Sequence, residues 1–289
     1  MKHSKHLVIG MGAIGKRHFR LLEEAGEEVI GIDKNDKPDW DVDMAWICTP
    51  PKNHLEYAME AIKRGKIVFI EKPITADLKE AEQIKNAMDI YNNHKVWIAC
   101  NYRFHPAVKG FRENLGCVGK ILYSRIHYSH YLPYQRENWQ EYLKDTNILL
   151  DVGIHFVDLA QWLFGKVDCH EYIVALVLDR NLRIEDYYDL KLNHEDKYTF
   201  IHLDYLRRDK SWGIQVVGNK GSIELISNGK KLEHIELKRY YDGEGVDCFT
   251  PTWTLFGNDE MYINQLNYLL TNDWQSNVSE HIEALKICV

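Results

Sequence analysis

Six residues near the amino terminus, Gly10-Met11-Gly12-Ala13-Ile14-Gly15, constrain this chain more than any other stretch. They follow the apolar run Leu7-Val8-Ile9 and open a helical pattern through Lys16, Arg17, His18, Phe19, Leu21 and Leu22. A second apolar run, Val29-Ile30-Gly31-Ile32, ends in Asp33. Strand, glycine loop, helix, strand and acid in that order form a dinucleotide-binding fingerprint in its proper context. Gly10 allows the tight turn, Gly12 lets a pyrophosphate approach the backbone, and Gly15 lets helix and strand pack closely. Ala13 and Ile14 open the helix, whose N-terminus offers N–H groups and partial positive charge to phosphates. The Asp33 carboxylate accepts from the adenosine ribose hydroxyls and repels a 2′-phosphate, which favours NAD. Lys34 beside it leaves NADP open. The bland alternative is a structural turn in a doubly wound sheet that binds nothing.

The 289 residues suffice for one large or two ordinary domains. No apolar stretch approaches the ~20 residues of a membrane helix. Met1-Lys2-His3-Ser4-Lys5-His6 leads straight into a short strand, unlike a secretory or transit leader. The six cysteines lack CxxC pairing and read as reduced thiols, so the expected location is the cytoplasm. A net charge of −7 argues against a nucleic-acid partner. The absence of HExxH and of Cys/His clusters argues against a metal. His127 and His130 are expected to face opposite sides of one strand.

Beyond Asp33, apolar runs at Met44–Thr49, Ile67–Ile70 and Val96–Cys100 alternate with helical stretches beginning at Asn53 and Asp77. Repeated strand–helix units predict a parallel sheet covered on both faces. Only residues 34–43 separate Asp33 from the strand at Met44. A helical crossover alone needs ~10–12 residues, so an extra strand with its helices does not fit. The expected sheet therefore lacks the usual third strand and leaves the adenine end open. From Lys120 the texture changes. A long strand, Ile121–Tyr131, and a helix, Asn147–Phe164, precede strand-like runs near 171–179, 184–192, 197–206, 212–217, 221–226 and 233–238. Helices at Glu260–Leu270 and Glu280–Ile287 follow. The fold class is α/β: a Rossmann-type parallel domain over residues 1–104 and an α/β domain with an open, mainly antiparallel sheet over 105–289. The last helices are free to pack back on the first domain.

Two segments carry chemistry. Glu71-Lys72-Pro73 ends a parallel strand, where ligands of open α/β sheets bind. A lysine there can hydrogen-bond a substrate hydroxyl or carbonyl, and partial desolvation eases its proton transfer. Pro73 fixes the adjacent backbone and suits a cis bond. Asp151 and His155 stand four apart, so one helical face presents a carboxylate beside an imidazole. Such a pair suits proton transfer, the carboxylate orienting the ring or sustaining its charge. Gly153 between them suits close approach of a cofactor or another backbone. A solvated lysine and an ordinary surface Asp/His contact are the bland alternatives.

Gly10–Gly15, Thr49-Pro50-Pro51 with His54, Glu71-Lys72-Pro73, Asn101-Tyr102-Arg103-Phe104-His105-Pro106 and Asp151-Val152-Gly153-Ile154-His155 occur in this order. Together they resemble the glucose–fructose oxidoreductase/inositol dehydrogenase/rhizopine catabolism family (GFO/IDH/MocA), across nearly the whole chain. The resemblance implies NAD(P)-dependent oxidation or reduction at a sugar or cyclitol carbon. It implies that Lys72, Asp151 and His155 are catalytic, with histidine as acid/base and the other two positioning and polarising the reacting oxygen. It places Thr49, Pro50 and His54 beside the cofactor's ribose and phosphates, with Glu71 and Asn101 lining the same cleft. The stretch Asp145-Thr146-Asn147-Ile148 departs from the glycines the family often has there, and the chain stops at Val289, soon after a helix that often runs longer.

Tyr131-Leu132-Pro133-Tyr134 with Trp139, and Leu203–Arg208 followed by Val217–Glu224, are similar to members linked to surface-sugar biosynthesis. That implies an amino sugar, nucleotide sugar or acidic sugar as substrate, with Arg103, Arg125 and Arg136 as candidates to meet its carboxylate or phosphate. Structural ion pairs are the equal alternative for each. A non-catalytic dinucleotide-binding regulator of the same fold is the alternative function. Tyr172, Val174, Leu176, Tyr198, Phe200 and His202, at strand spacing, are expected to share an exposed face. Family members commonly dimerise through that sheet, which implies a homodimer or tetramer.

Overall fold

The computed structural model describes residues 4–289 apart from 136, 139–140, 142–145, 179–184, 228–231, 241–245, 250–251, 255–258 and 272. The chain divides into two compact units, Met1–Asn101 with Tyr262–Val289, and Tyr102–Met261. No helix among the described residues is long and apolar enough to cross a membrane.

The first unit runs β1 (Lys5–Ile9), α1 (Ala13–Glu24), β2 (Glu28–Ile32), β3 (Met44–Ile47), α2 (His54–Lys63), β4 (Ile67–Ile70), α3 (Leu78–Ile90) and β5 (Val96–Ile98). Its five strands pair in parallel in the order β2-β1-β3-β4-β5. His6 faces Val29 on one side and Met44 on the other. β2 is thus the sheet edge, and the short link after Asp33 steps over β1 without an intervening strand, as its length requires. All four residues of β3 are buried, consistent with a strand covered on both faces. Asp77 caps α3 by accepting from the Lys79 and Glu80 N–H groups, worth about 1 kcal/mol. The helix expected from Asn53 starts instead at His54. Asn53 lies in a single tight turn, Pro51–Asn53, and its side chain makes no capping bond.

The opposite edge, β5, is closed by side chains. Ser276 Oγ donates to the Val96 carbonyl at 2.6 Å. Asn277 accepts from the Ile98 N–H at 2.8 Å and donates to its carbonyl at 2.9 Å. Gln265 Oε1 accepts from the Cys100 N–H at 3.1 Å. The carboxy-terminal segment therefore satisfies the outward backbone groups that another strand would otherwise take.

The second unit is a nine-stranded sheet. Its path is β13-β12-β11-β10-β6-β9-β8-β7, with β14 also on β12. The strands are β6 (Ile121–Ser129), β7 (Cys169–Ala175), β8 (Tyr187–Asn193), β9 (Tyr198–Asp204), β10 (Ser211–Gly218), β11 (Gly221–Ser227), β12 (Leu232–Tyr240), β13 (Val246–Phe249) and β14 (Thr252–Thr254). Pairing is antiparallel except between β6 and β9, which is parallel. On one face Ile126, Leu190, Leu203, Ile214 and Leu225 are buried. Helices α4 (Pro106–Asn114) and α5 (Ile154–Phe164) meet this sheet at β11 and β9.

Two expectations need correction here. Tyr172 and Val174 pair with Leu190 and Tyr188, which in turn pair with Ile201 and Leu203. They therefore lie on the side opposite Tyr198, Phe200 and His202, and Leu176 lies past the end of β7. They are exposed because β7 is an edge strand, where the covering layer ends. The predicted continuous helix from Asn147 instead begins with a widened, π-type turn over Leu149–Gly153, where the Ile154 N–H reaches back to the Leu149 carbonyl. Gly153 is explained by packing within the unit. A Cβ there would stand 2.7 Å from the Leu149 side chain and 2.7 Å from Leu203 on β9.

Candidate functional site

In the first unit the glycine loop has the geometry of a phosphate cradle. Gly10 adopts φ +96°, and a Cβ on it would lie 2.8 Å from the backbone of Cys48 and Thr49. A Cβ on Gly15 would stand 1.9 Å from the Gly10 carbonyl oxygen, so only glycine lets α1 come this close to β1. At Gly12 the same test meets nothing within 4 Å, leaving open space at the N-terminus of α1. Thr49 Oγ1, next to this loop, is buried and has no hydrogen-bond partner. An open helix N-terminus and an orphaned donor fit a phosphate-bearing ligand. Ala13 and Ile14 form the first turn of α1, and Asp33 is exposed at the end of the edge strand β2. Its Oδ1 accepts from the Lys34 N–H at 2.9 Å.

Thr49 and exposed Pro50 follow β3, and His54 opens α2. His54 is fully buried, with Nε2 2.7 Å from the Thr49 carbonyl and Nδ1 3.0 Å and 3.1 Å from the carbonyls of Pro73 and Ile74. Burial holds its pKa below the ordinary histidine value, against the pull of these three carbonyls and Glu71. Expected beside the cofactor, His54 instead lies between the carbonyl after β3 and the carbonyls of the turn after β4, and its neutral ring donates its single N–H to one side of that pair.

That turn carries Glu71 and Lys72, and the Lys72–Pro73 bond is cis. Glu71 is buried, with Oε1 2.8 Å from His18 Nε2 on α1, while Oε2 accepts from the Lys72 N–H at 3.2 Å. Burial alone would raise the Glu71 pKa. The hydrogen bond and charge of His18, with Lys72, outweigh it and keep the group below the ordinary carboxylate value. One carboxylate thus joins the helix after the glycine loop to the lysine at the sheet edge. Lys72 itself is partly buried. Asn101 is buried, hydrogen-bonds the Tyr262 phenol and leaves Oδ1 without a partner.

In the second unit Asp151 lies in the widened turn and His155 in the first turn of α5. The Asn147 side chain accepts from the Leu150 N–H at 2.9 Å and steadies the start of the turn. Tyr205 Oη donates to Asp151 Oδ2 at 2.8 Å. The His155 ring lies 5.3 Å from that of Tyr102, which also packs on Phe156 and Trp212. His130 packs edge-on against Tyr205 at 4.8 Å. Burial first, then the Lys210 charge, bring its pKa down to about 4, so its ring is neutral near pH 7. Burial and the neighbouring Asp151 charge push the Tyr128 phenol up. As expected, His127 and His130 diverge: His127 bonds Ser211 on the open sheet face, while His130 packs against Tyr128 and Tyr205.

Arg103 and Arg125 do not converge. Arg103 is buried and binds Asp158 in a fork, Nε at 2.8 Å and Nη2 at 2.6 Å. Arg125 is exposed on the open sheet face, its guanidinium 5.3 Å over the Tyr123 ring. Arg136 lies outside the described residues. Tyr205 and His18 were missed from sequence. His18 had a signal: it falls three residues after Gly15 and three and four before Leu21 and Leu22, on the buried face of α1. Tyr205 had only its place in the Leu203–Arg208 stretch, just past a strand end.

Residues 33–99 match the model of an oxidoreductase family with an NAD-binding Rossmann fold, and residues 114–224 match the GFO/IDH/MocA C-terminal domain. The oxidoreductase YdgJ of Escherichia coli K12 is 25% identical over 260 residues, covering 78% of this chain and 74% of its own. The scyllo-inositol 2-dehydrogenase (NADP+) IolW of Bacillus subtilis is 30% identical over 165 residues, 53% of this chain. That match spans only 43% of the relative's length. An oxidoreductase from Agrobacterium radiobacter, solved with NAD+, L-tartaric acid and magnesium, shares the fold with a TM-score of 0.81. It matches over 98% of this chain and 93% of that one at 16% identity. With both of its regions matched, the chain belongs to the GFO/IDH/MocA oxidoreductase family and carries that family's NAD-binding Rossmann domain.

Proposed function

We propose that this protein is an NAD(P)-dependent oxidoreductase acting on a secondary alcohol or ketone carbon of a sugar, amino sugar or nucleotide sugar. The observation that carries this reading is the setting of Lys72. It sits at the carboxyl edge of the parallel sheet, and its backbone is tied through Glu71 to the helix after the glycine loop. Gly10, Gly12, Ala13, Ile14 and Gly15 cradle the pyrophosphate, Asp33 binds the adenosine ribose, and Thr49 Oγ1 finds its partner on the cofactor. Bound there, the nicotinamide supplies or accepts the hydride.

The chain's own groups manage position and protons. Lys72 hydrogen-bonds the reacting oxygen and polarises it. His155 takes the hydroxyl proton in oxidation and returns it in reduction. Asp151, held by Tyr205, orients the reacting group and sustains charge on the imidazole. Substitution of Lys72 by alanine tests this: turnover of a sugar or cyclitol substrate should fall by about 10²-fold or more, with NADH affinity kept within a few-fold. Unchanged turnover would remove Lys72 from the chemistry.

The same reading extends to assembly. The open face of the second unit carries Arg125 and Lys191 alongside Asp189 and Glu224, with Tyr198 and Phe200 exposed among them. A surface with both signs of charge and large rings complements a two-fold related copy of itself. A second copy of this chain is the proposed occupant.

A further inference from the structure

The turn that carries Lys72 meets two buried histidines from two helices. The carbonyl oxygen of Ile74, two residues past the lysine, lies 3.1 Å from His54 Nδ1. Its N–H donates to His281 Nε2 at 3.3 Å. His54 opens α2, and His281 lies in the carboxy-terminal helix Val278–Cys288. Their exposures are 0% and 1%. To accept from Ile74, His281 Nε2 must present a lone pair, so the ring proton sits on Nδ1, which lies 4.0 Å from Cys100 Sγ. His281 is thereby fixed as one neutral tautomer between a thiol and an amide. Gln265, Ser276 and Asn277 close the sheet edge at β5 and Cys100. His281 alone of these four reaches past that edge to the turn after β4.

We infer that His281 is a positioning residue for Lys72, acting by accepting the Ile74 N–H. The inference rests on the catalytic role proposed for Lys72. Backbone beyond a strand end has no ladder to hold it, and a reactive group displaced by about 1 Å loses on the order of 10²-fold in rate. The buried His281 ring, fixed in one tautomer, removes that freedom at the Ile74 N–H. The carboxy-terminal helix is then part of the site's machinery.

The test uses His281→Leu, His281→Gln and Ser276→Ala in the full chain. Three readouts apply: exchange of the Ile74 amide, acetic anhydride labelling of Lys72 read by peptide mass spectrometry, and the thermal midpoint. In the wild type the Ile74 amide should exchange at least about tenfold more slowly than an exposed loop amide. His281→Leu should abolish that protection and change the Lys72 labelling rate by about threefold or more. Gln offers an acceptor at similar reach, so His281→Gln should restore both toward wild type. Ser276→Ala should lower the thermal midpoint without altering Lys72 labelling. A fast Ile74 amide in the wild type overturns the inference, even if the leucine variant does not fold. So does a leucine variant that loses thermal stability while keeping wild-type exchange and labelling. If Lys72→Ala leaves turnover unchanged while the exchange and labelling results hold, the proposed chemistry fails and the positioning by His281 stands.

Discussion

Glu71 Oε1 lies 2.8 Å from His18 Nε2, in a pocket walled by Trp46, Phe69 and Tyr262. The pair joins α1 to the end of β4, the two elements that bring the glycine loop and Lys72 to one sheet edge. Removing one partner of a buried hydrogen bond costs about 1–3 kcal/mol, because the other is left unsatisfied. Glu71→Ala should therefore lower unfolding free energy in urea by about that amount, and Glu71→Gln, which can still bond His18, by less. Wild-type stability in both variants would mean that the pair does not couple helix to strand.

Arg103 and Asp158 give a second prediction. Their side chains are 8% and 4% exposed, and the fork between them leaves the guanidinium facing its carboxylate rather than a substrate. Lysine cannot reproduce two parallel N–H bonds. Arg103→Lys should lower the thermal midpoint, with a loss of about 1–3 kcal/mol, while leaving substrate KM within about twofold. A variant with wild-type stability and a raised KM would return Arg103 to the substrate site.

How much of this could be read in advance depended on the range of the interaction. The glycine loop, β1, α1 and β2 are specified by neighbours in sequence, and the absence of a strand after Asp33 followed from chain length alone. Asp77 announced its helix because a cap acts within three residues. The failures are long-range. No periodicity shows that Arg103 meets Asp158, 55 residues on, or that Tyr205 meets Asp151, 54 residues back. Tyr172 and Tyr198 fell on opposite faces because strand register is set by pairing across the sheet. The close packing of Gly153 against Leu203 on β9 is likewise a contact that the helix's own sequence does not record.

Two histidines should give stability opposite slopes in pH. His130 has a folded pKa of about 4 against an ordinary value of 6.5. The unfolded chain takes up a proton below pH 6.5 that the native state refuses, so stability falls from there toward pH 4. The loss is on the order of 2 kcal/mol. His202, held by Asp204 and Asp189 at 2.9 Å and 2.7 Å, has a raised pKa. Its contribution is complete below about 6.5 and fades as pH rises through the folded value. Urea unfolding at pH 7 and pH 5 should show His130→Phe flattening the acid loss and His202→Gln steepening it. The same slope in all three proteins would contradict both assignments.

The open face of the second unit predicts an oligomer. Tyr198 and Phe200 are 48% and 40% exposed there, beside a cavity of about 390 Å³ lined by Arg125, Asp189, His202 and Glu224. Sedimentation should find the wild type as a dimer or tetramer, and Phe200→Asp, which places charge at its centre, should shift it to monomer. A wild-type monomer at working concentrations would contradict pairing through this face.

Deuterium follows hydride transfer to or from a carbohydrate carbon. The protein is incubated with NADH carrying deuterium at C4 of the transferred face and a panel of keto-sugars, keto-cyclitols and nucleotide keto-sugars, and each product is weighed. One deuterium should appear on a new carbinol carbon of at least one substrate, with the label lost in Lys72→Ala although NADH still binds. A protein that binds NADH but leaves every compound unlabelled, with either cofactor face deuterated, would contradict it and point to a dinucleotide-binding regulator.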